Sequence, residues 1–171
     1  FALRAIRQCE DAIRAGGYRI VIFGPHPDVD LSAQILRDQT GLDIDILPPD
    51  LPHADILQWF GQARMSIGVS VSDAASISML EAMTMGAFPI QSYTACADEW
   101  FTHGETGLMV DPEDPNDIET ALRRVITDDA LVDRAAERNR ETARARLDRE
   151  KIKRTVIEQY EQAYATFKLS R

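Results

Sequence analysis

Two acidic residues, Asp73 and Glu81, lie on a stretch that joins an apolar strand to a short helix, with seven residues between them. Met65 to Val71 has the apolar character of a buried strand, and small polar residues follow it. Free backbone N–H groups at residues 73–76, where the helix begins, would attract an anion. A carboxylate further along the helix can accept hydrogen bonds from hydroxyl groups. The stretch therefore predicts an anion site beside a hydroxyl-binding carboxylate.

Glu81 lies at the border of the apolar face of this helix. Ile77, Met79, Leu80 and Met83 fall on one arc and are expected to pack on a sheet. The carboxylate at the border can then point along the helix towards the strand ends. A purely structural interpretation stays open, because Ser and Asp before a helix are ordinary N-caps and a helical Glu is usually solvated.

The rest of the chain alternates strands with helices. We expect strands at 18–23, 42–47, 65–71, 88–91 and 107–110. The helices among them are expected at 1–15, 31–38, 54–63 and within 72–86. This alternation is typical of a parallel sheet covered on both faces. The right-handed crossover rule makes a doubly wound, Rossmann-like sheet the simplest topology, so the predicted fold class is α/β.

One domain over residues 1–171 is expected, with an α/β core at 1–114 and C-terminal helices at 115–171. Those helices are predicted at 117–126, 130–147 and 151–167. The last has an apolar stripe that is typical of core packing and would also suit docking on a second domain: Ile152, Val156, Tyr160, Ala163, Tyr164 and Phe167.

The chain opens with a helix, whereas doubly wound nucleotide-binding domains open with a strand that lies centrally in the sheet. The first strand is therefore predicted to be missing. We expect a segment before Phe1, or a strand from a neighbouring chain, to fill the gap, because proteins avoid free strand edges.

Composition excludes some functions. A net charge of −9 argues against nucleic acid as a partner, and the sequence has no apolar run of membrane-spanning length. Cys9 and Cys96 have no partners at metal-ligand spacing, which suits a cytoplasmic location with both thiols buried or inert. His26, His53 and His103 are expected in loops without acidic partners at metal-ligand spacing, so neither a metal nor another cofactor is predicted.

Three motifs resemble those of glycosyltransferase family 4, the group 1 retaining transferases. Residues 80–90, LEAMTMGAFPI, are similar to the family's LEAMAxGxPV core. Residues 103–115, HGETGLMVDPEDP, resemble its DGETGLLV run, and residues 97–100, ADEW, stand where the family has PE. Asp73 and Glu81 match the family's E-x7-E pair, with Asp in the first position. The motifs span residues 64–115 in the family's order.

The resemblance implies the donor-binding, C-terminal Rossmann-like domain of a GT-B enzyme, which transfers a sugar from a nucleotide sugar to a glycan or a lipid-linked acceptor. It implies that Glu81 binds the ribose hydroxyls and that the amides of Ala75 and Ser76 meet the pyrophosphate or the sugar. Asp73 takes the place of the catalytic acid near the donor sugar, with a side chain one methylene shorter.

Further substrate contacts are expected at the loops after the strands. Gly24, Pro25 and the segment 48–51 are expected at the base, since ligands of open α/β sheets bind at the carboxyl ends of strands. Glu99 matches the family's later acid loosely. Neither the basic phosphate ligands that follow the first strand nor the N-terminal acceptor domain has a match, so this chain is expected to be inactive alone. Peripheral membrane association through the acceptor is a further expectation.

Two other interpretations stay open. One is an epimerase of the related GT-B-like kind, although the chain shows no obvious buried His/Glu pair for acid–base chemistry. The other is a nucleotide-binding module without catalytic activity.

Overall fold

The computed structural model describes residues 1–169, in which helices and strands alternate. The strands are β1 Ile20–Ile22, β2 Ile44–Ile46, β3 Met65–Gly68, β4 Phe88–Ser92 and β5 Leu108–Val110. The helices are α1 Ala2–Gln8, α2 Glu10–Ala15, α3 Pro27–Thr40, α4 His53–Gln62, α5 Ile77–Met85, α6 Pro115–Thr127, α7 Asp129–Arg146 and α8 Arg149–Leu169. A short 3-10 turn, Ala97–Glu99, follows β4. The predicted α/β class is confirmed.

All strand pairs are parallel, and they form two separate sheets. β1 pairs with β2, and the second sheet has the order β3-β4-β5. The crossover from β1 to β2 carries α3 and that from β3 to β4 carries α5, whereas β4 and β5 are joined by a longer connection that contains only the 3-10 turn. Strands from both sheets nevertheless contribute to one hydrophobic cluster, so the two sheets share a core.

Within residues 1–169, β1 pairs only with β2 and β3 only with β4, and this division into two sheets agrees with the predicted absence of a central strand. The N–H of Ile20 donates to the C=O of Asp43, so this residue of β1 faces β2. The C=O of Arg64 accepts from the N–H of Phe88, so the residue before β3 faces β4. No strand within residues 1–169 pairs with the opposite edges of β1 and β3. The five strands do not close into one continuous sheet.

The first predicted helix, residues 1–15, is in fact two helices. The chain leaves helical geometry at Cys9, whose φ is −93° and ψ is 11°. The apolar stripe still packs inward, because Ala5, Ile6, Cys9 and Ile13 are all buried. α3 begins earlier than predicted, because Pro27 fits the first helical turn and the His26 ring accepts a hydrogen bond from the N–H of Asp28.

The C-terminal helices differ in their burial. α6 buries Ile118, Leu122 and Val125 in the shared core, and α7 covers it further along. In α8, every side chain from 149 to 168 is exposed. The core-packing interpretation of its stripe is therefore wrong, because burial requires an opposing surface that residues 1–169 do not supply there. Docking on a second domain stays a prediction.

Helices long and apolar enough to cross a membrane are absent from the described chain.

Candidate functional site

Helix α5 begins where the sequence analysis expects the anion site. Ser76 is its N-cap, and the Ser76 Oγ accepts a hydrogen bond of 3.4 Å from the N–H of Met79. Met79 and Met83 are buried, as the predicted arc requires. Ile77 is 71% exposed, so its expected packing is wrong. Because side chains of a helix lean towards its N-terminus, those of the first residue project beyond the helix rather than onto the sheet.

Glu81 lies in the second turn of α5, and its side chain is 22% exposed. Its Oε1 lies 2.6 Å from the Nε2 of His53, the first residue of α4. A carboxylate only accepts hydrogen bonds, so the Nε2 of His53 carries the hydrogen. This contact joins residues that are 28 apart in the chain, because α4 packs beside α5.

The loop that holds Asp73 is fastened to the loop after β4. The hydroxyls of Ser92 and Thr94 both donate to the C=O of Ser70, at 2.7 and 2.6 Å. The N–H of Asp73 in turn donates to the C=O of Thr94 at 3.5 Å. The Asp73 side chain is exposed, and Ala75 is half-buried. The structure therefore brings Asp73, Ala75 and Ser76 to the carboxyl ends of β3 and β4.

Gly24 and Pro25 follow the carboxyl end of β1. Gly24 has a φ of +58°, a conformation that favours glycine, and it has open space where a Cβ would lie. The preceding Phe23 packs edge-to-face on Phe60 of α4, with ring centroids 5.4 Å apart. This contact places the residue before the Gly24 loop against α4.

Glu99 lies in the 3-10 turn after β4, and its carboxylate makes no hydrogen bond within the described residues. Its backbone C=O accepts a hydrogen bond from Arg146, whose guanidinium carbon lies 3.8 Å from the ring centroid of Trp100. Glu99 also lines a surface cavity of about 380 Å³ between this turn and α7. The structure connects Glu99 to α7, and no contact joins it to Glu81 or Asp73.

The two cysteines differ. Cys9 is buried, and burial raises the pKa of its thiol to about 11, which keeps it protonated and inert. Cys96 is exposed in a surface loop and has a φ of +47°, so of the two expected alternatives, buried or inert, burial does not hold for this residue, and its inertness stays a prediction. Over residues 1–169, no group of three or more His, Cys, Asp or Glu residues is placed to hold a metal ion.

Of these residues, His53 is the one that sequence reasoning missed. The available signal was its position directly after the loop at the carboxyl end of β2, where ligands of parallel sheets bind. Nothing local in the sequence indicated that it would reach Glu81.

Comparisons with known proteins agree with this fold. The D-inositol 3-phosphate glycosyltransferase of Nocardioides sp. is 30% identical over 105 residues, which are 61% of this chain and 23% of that protein. A sucrose-phosphate synthase from Thermosynechococcus elongatus has a TM-score of 0.77 at 20% identity, over 95% of this chain and 43% of that one.

Two further structures are similar. The C-terminal domain of a glycosyl transferase group 1 family protein from Francisella tularensis has a TM-score of 0.74 at 18% identity, over 86% of this chain and 79% of that one. Anabaena HepE, in complex with UDP-glucose, has a TM-score of 0.73 at 17% identity, over 90% of this chain and 44% of that one. At these identities the likeness shows the fold. The family model described as "Glycosyl transferases group 1" matches residues 1–128, and the chain belongs to that family of glycosyltransferases.

Proposed function

We propose that this chain binds the nucleotide-sugar donor of a retaining glycosyltransferase. The observation that supports this most is the Glu81 carboxylate, which is largely shielded from solvent on a helix that begins at the carboxyl end of β3. A carboxylate in such a place is suited to hydroxyl groups, because hydrogen bonds to a charged acceptor are stronger than neutral ones. The UDP-glucose complex of the structurally similar HepE supports the same ligand class.

Each remaining residue has a proposed role at the same edge of the sheets. The N–H groups of Ala75 and Ser76, at the start of α5, bind the pyrophosphate or the sugar. Asp73, on the loop fastened to Thr94, interacts with the donor sugar as the catalytic acid. Gly24, Pro25 and the loop 48–51 contact the base. Glu99 has the weakest support, since its fixed contact is to α7.

The chain spans less than half the length of the sucrose-phosphate synthase and of HepE, and a quarter or less of the curated relative. Transfer to a glycan or a lipid-linked acceptor is therefore proposed for a protein in which an acceptor-binding domain faces this one. Inactivity of the chain alone, a cytoplasmic location, peripheral membrane contact through the acceptor and independence from metal stay predictions.

Substitution of the two acids tests the donor site. Glu81→Gln keeps size but replaces one charged acceptor oxygen with a donor. Hydrogen bonds to charged groups contribute about 1.5–3 kcal/mol, so affinity for a nucleoside diphosphate should fall roughly tenfold to a hundredfold. Asp73→Asn should spare free UDP and weaken UDP-glucose. Isothermal titration of UDP, GDP, ADP and their glucose conjugates measures both effects.

If this helix has a purely structural role, the expected results differ. Glu81→Gln would then leave nucleotide affinity unchanged, and Asp73→Asn would alter only the melting temperature. Equal affinities of the wild type and Glu81→Gln for every diphosphate tested would contradict the donor-site proposal. Conversion of a nucleotide sugar into its epimer without an acceptor would favour an epimerase instead.

A further inference from the structure

The contact between His53 and Glu81 joins two different loop–helix units. His53 opens α4, directly after the proline-rich segment that follows β2, and Glu81 belongs to α5, after β3. The chain direction at His53 is restricted by Pro52, whose C=O also accepts hydrogen bonds from the N–H groups of Asp55 and Ile56. The ring is therefore held at the start of a formed helix.

The contact is short, and its two side chains differ in their exposure to solvent. The Nε2–Oε1 distance is 2.6 Å, and the His53 side chain is 65% exposed while that of Glu81 is 22% exposed. The exposed ring restricts the less exposed carboxylate. Because the Nε2–H occupies Oε1, the second oxygen, Oε2, keeps its acceptor capacity and has no hydrogen-bond partner among residues 1–169.

We propose that His53 is a positioning residue for nucleotide binding. It donates its Nε2–H to Oε1 of Glu81 and so holds the carboxylate with Oε2 available to the ribose hydroxyls. This inference rests on the proposed function, because it takes Glu81 as the ribose ligand. A fixed carboxylate loses less side-chain freedom on binding than a mobile one, and this difference appears as affinity.

Substitutions at His53 separate the hydrogen bond from the ring. His53→Phe keeps a flat ring and lacks the donor, and His53→Ala removes both. Either change should weaken the binding of UDP, GDP or ADP, whichever the wild type binds most tightly, by roughly threefold to tenfold, the range of one net hydrogen bond. His53→Gln places an amide N–H near the position of Nε2 and should restore affinity to within about twofold of the wild type.

Two further measurements show whether His53 acts through Glu81. In the Glu81→Gln background, His53→Phe should cause no additional loss, because the residue that it positions is already altered. The preference for the ribonucleotide over its 2′,3′-dideoxy analogue should shrink in His53→Phe, since the bond concerned is to the ribose. Melting temperatures, recorded for each variant, check that folding is intact.

His103→Ala is the matched control. His103 is also an exposed histidine, but its Nδ1 accepts a hydrogen bond from the N–H of Met109 and it has no contact with Glu81. Its removal should leave nucleotide affinity unchanged.

The possible outcomes distinguish this inference from the function on which it rests. If Glu81→Gln weakens nucleotide binding but His53→Phe and His53→Ala do not, the positioning role is wrong and the donor site stands. A loss that persists undiminished in the Glu81→Gln background also contradicts the positioning role. If no diphosphate binds, or Glu81→Gln has no effect, both proposals fall.

Discussion

Arg123 of α6 connects the amino-terminal helices to the rest of the molecule. Its guanidinium donates to both carboxylate oxygens of Asp11, at 2.9 and 3.1 Å, to Glu119 at 2.8 Å, and to the backbone C=O of Gln8. The hydrogen bond from Arg123 is the main cause that lowers the pKa of Asp11 below its ordinary value. The bonds to Asp11 and Glu119 raise the pKa of Arg123.

Replacement of Arg123 with Met should lower the melting temperature at pH 7 and lower it less in acid. The pKa of Asp11 is lower in the folded than in the unfolded chain, so the unfolded chain binds more protons and stability rises with pH. This stabilisation is fully present above the ordinary pKa of Asp, about 3.9, and is lost as the pH falls through the lower folded value. Thermal unfolding between about pH 2 and pH 7 measures it.

Asp11→Asn is the companion variant for this test. It removes the titrating group but keeps the bond between Arg123 and Glu119. Its deficit relative to the wild type should likewise shrink in acid. A deficit for Arg123→Met that is equal at every pH would mean that Asp11 does not titrate against Arg123.

At the scale of elements, the end of α5 depends on a left-handed residue. Gly86 has a φ of +99°, and its N–H donates to the carbonyls of Ala82 and Met83. A Cβ at this position would meet the guanidinium of Arg140 on α7, which is the far end of an exposed, flexible side chain and can move aside. The helix that carries Glu81 therefore ends at a residue whose backbone conformation favours glycine.

Gly86→Ala should destabilise the protein by about 1–2 kcal/mol, the cost of left-handed strain, because the Arg140 side chain can move away from the added Cβ. Gly41→Ala is the matched control, because Gly41 ends α3 with a φ of +65° and a Cβ there would only approach Arg14, at 3.7 Å. Both variants should therefore lose a similar free energy of unfolding. Urea unfolding measures both free energies.

A double substitution tests whether the Arg140 side chain contributes to this loss. Adding Arg140→Ala to Gly86→Ala should leave the loss unchanged, because the guanidinium can already move aside. Wild-type stability of Gly86→Ala would show that the left-handed end of α5 is not needed.

At the scale of the whole molecule, the two sheets share one core without sharing hydrogen bonds. Within residues 1–169, the edge of β1 away from β2 and the edge of β3 away from β4 have no strand partner. A strand in this gap would offer backbone N–H and C=O groups to such edges, which is why we expect the gap to be filled.

Hydrogen exchange of single amides tests the break. Residues of a strand face its two neighbours alternately, so Ile20 faces β2 and Val21 faces the gap. By the same alternation, Ser66 faces β4 and Ile67 faces the gap. In this chain, the N–H groups of Val21 and Ile67 should exchange faster than those of Ile20 and Ser66, by about an order of magnitude or more. The reason is that the N–H groups of Ile20 and Ser66 are hydrogen-bonded to the neighbouring strand, whereas those of Val21 and Ile67 are not.

The comparison within each strand is its own control, since both residues belong to the same local structure. Equal protection of the four amides in the isolated chain would show that the two sheets join without a further strand. When a strand fills the gap, the protection of Val21 and Ile67 should rise to that of their neighbours.

Much of the fold was determined by local patterns in the sequence. The order of strands and helices, the burial of Met79 and Met83, and the break beside β1 follow from apolar periodicity and from the way doubly wound sheets are built. The Gly residues that end α3 and α5 also mark their positions directly, because few other residues adopt a positive φ. These features depend on neighbours within a few residues.

Other features were decided only by tertiary structure. The stripe of α8 has the periodicity of a core helix, yet its side chains are exposed, because burial depends on whether another element lies opposite. Arg146 binds the backbone of Glu99 across 47 residues, and His53 reaches Glu81 across 28. The sequence by itself therefore determined that an acid would stand on α5 at the strand ends. Only the packing of α4 against α5 decided which side chain would form a hydrogen bond with this acid. Such contacts depend on the three-dimensional arrangement and produce no periodic pattern in the sequence.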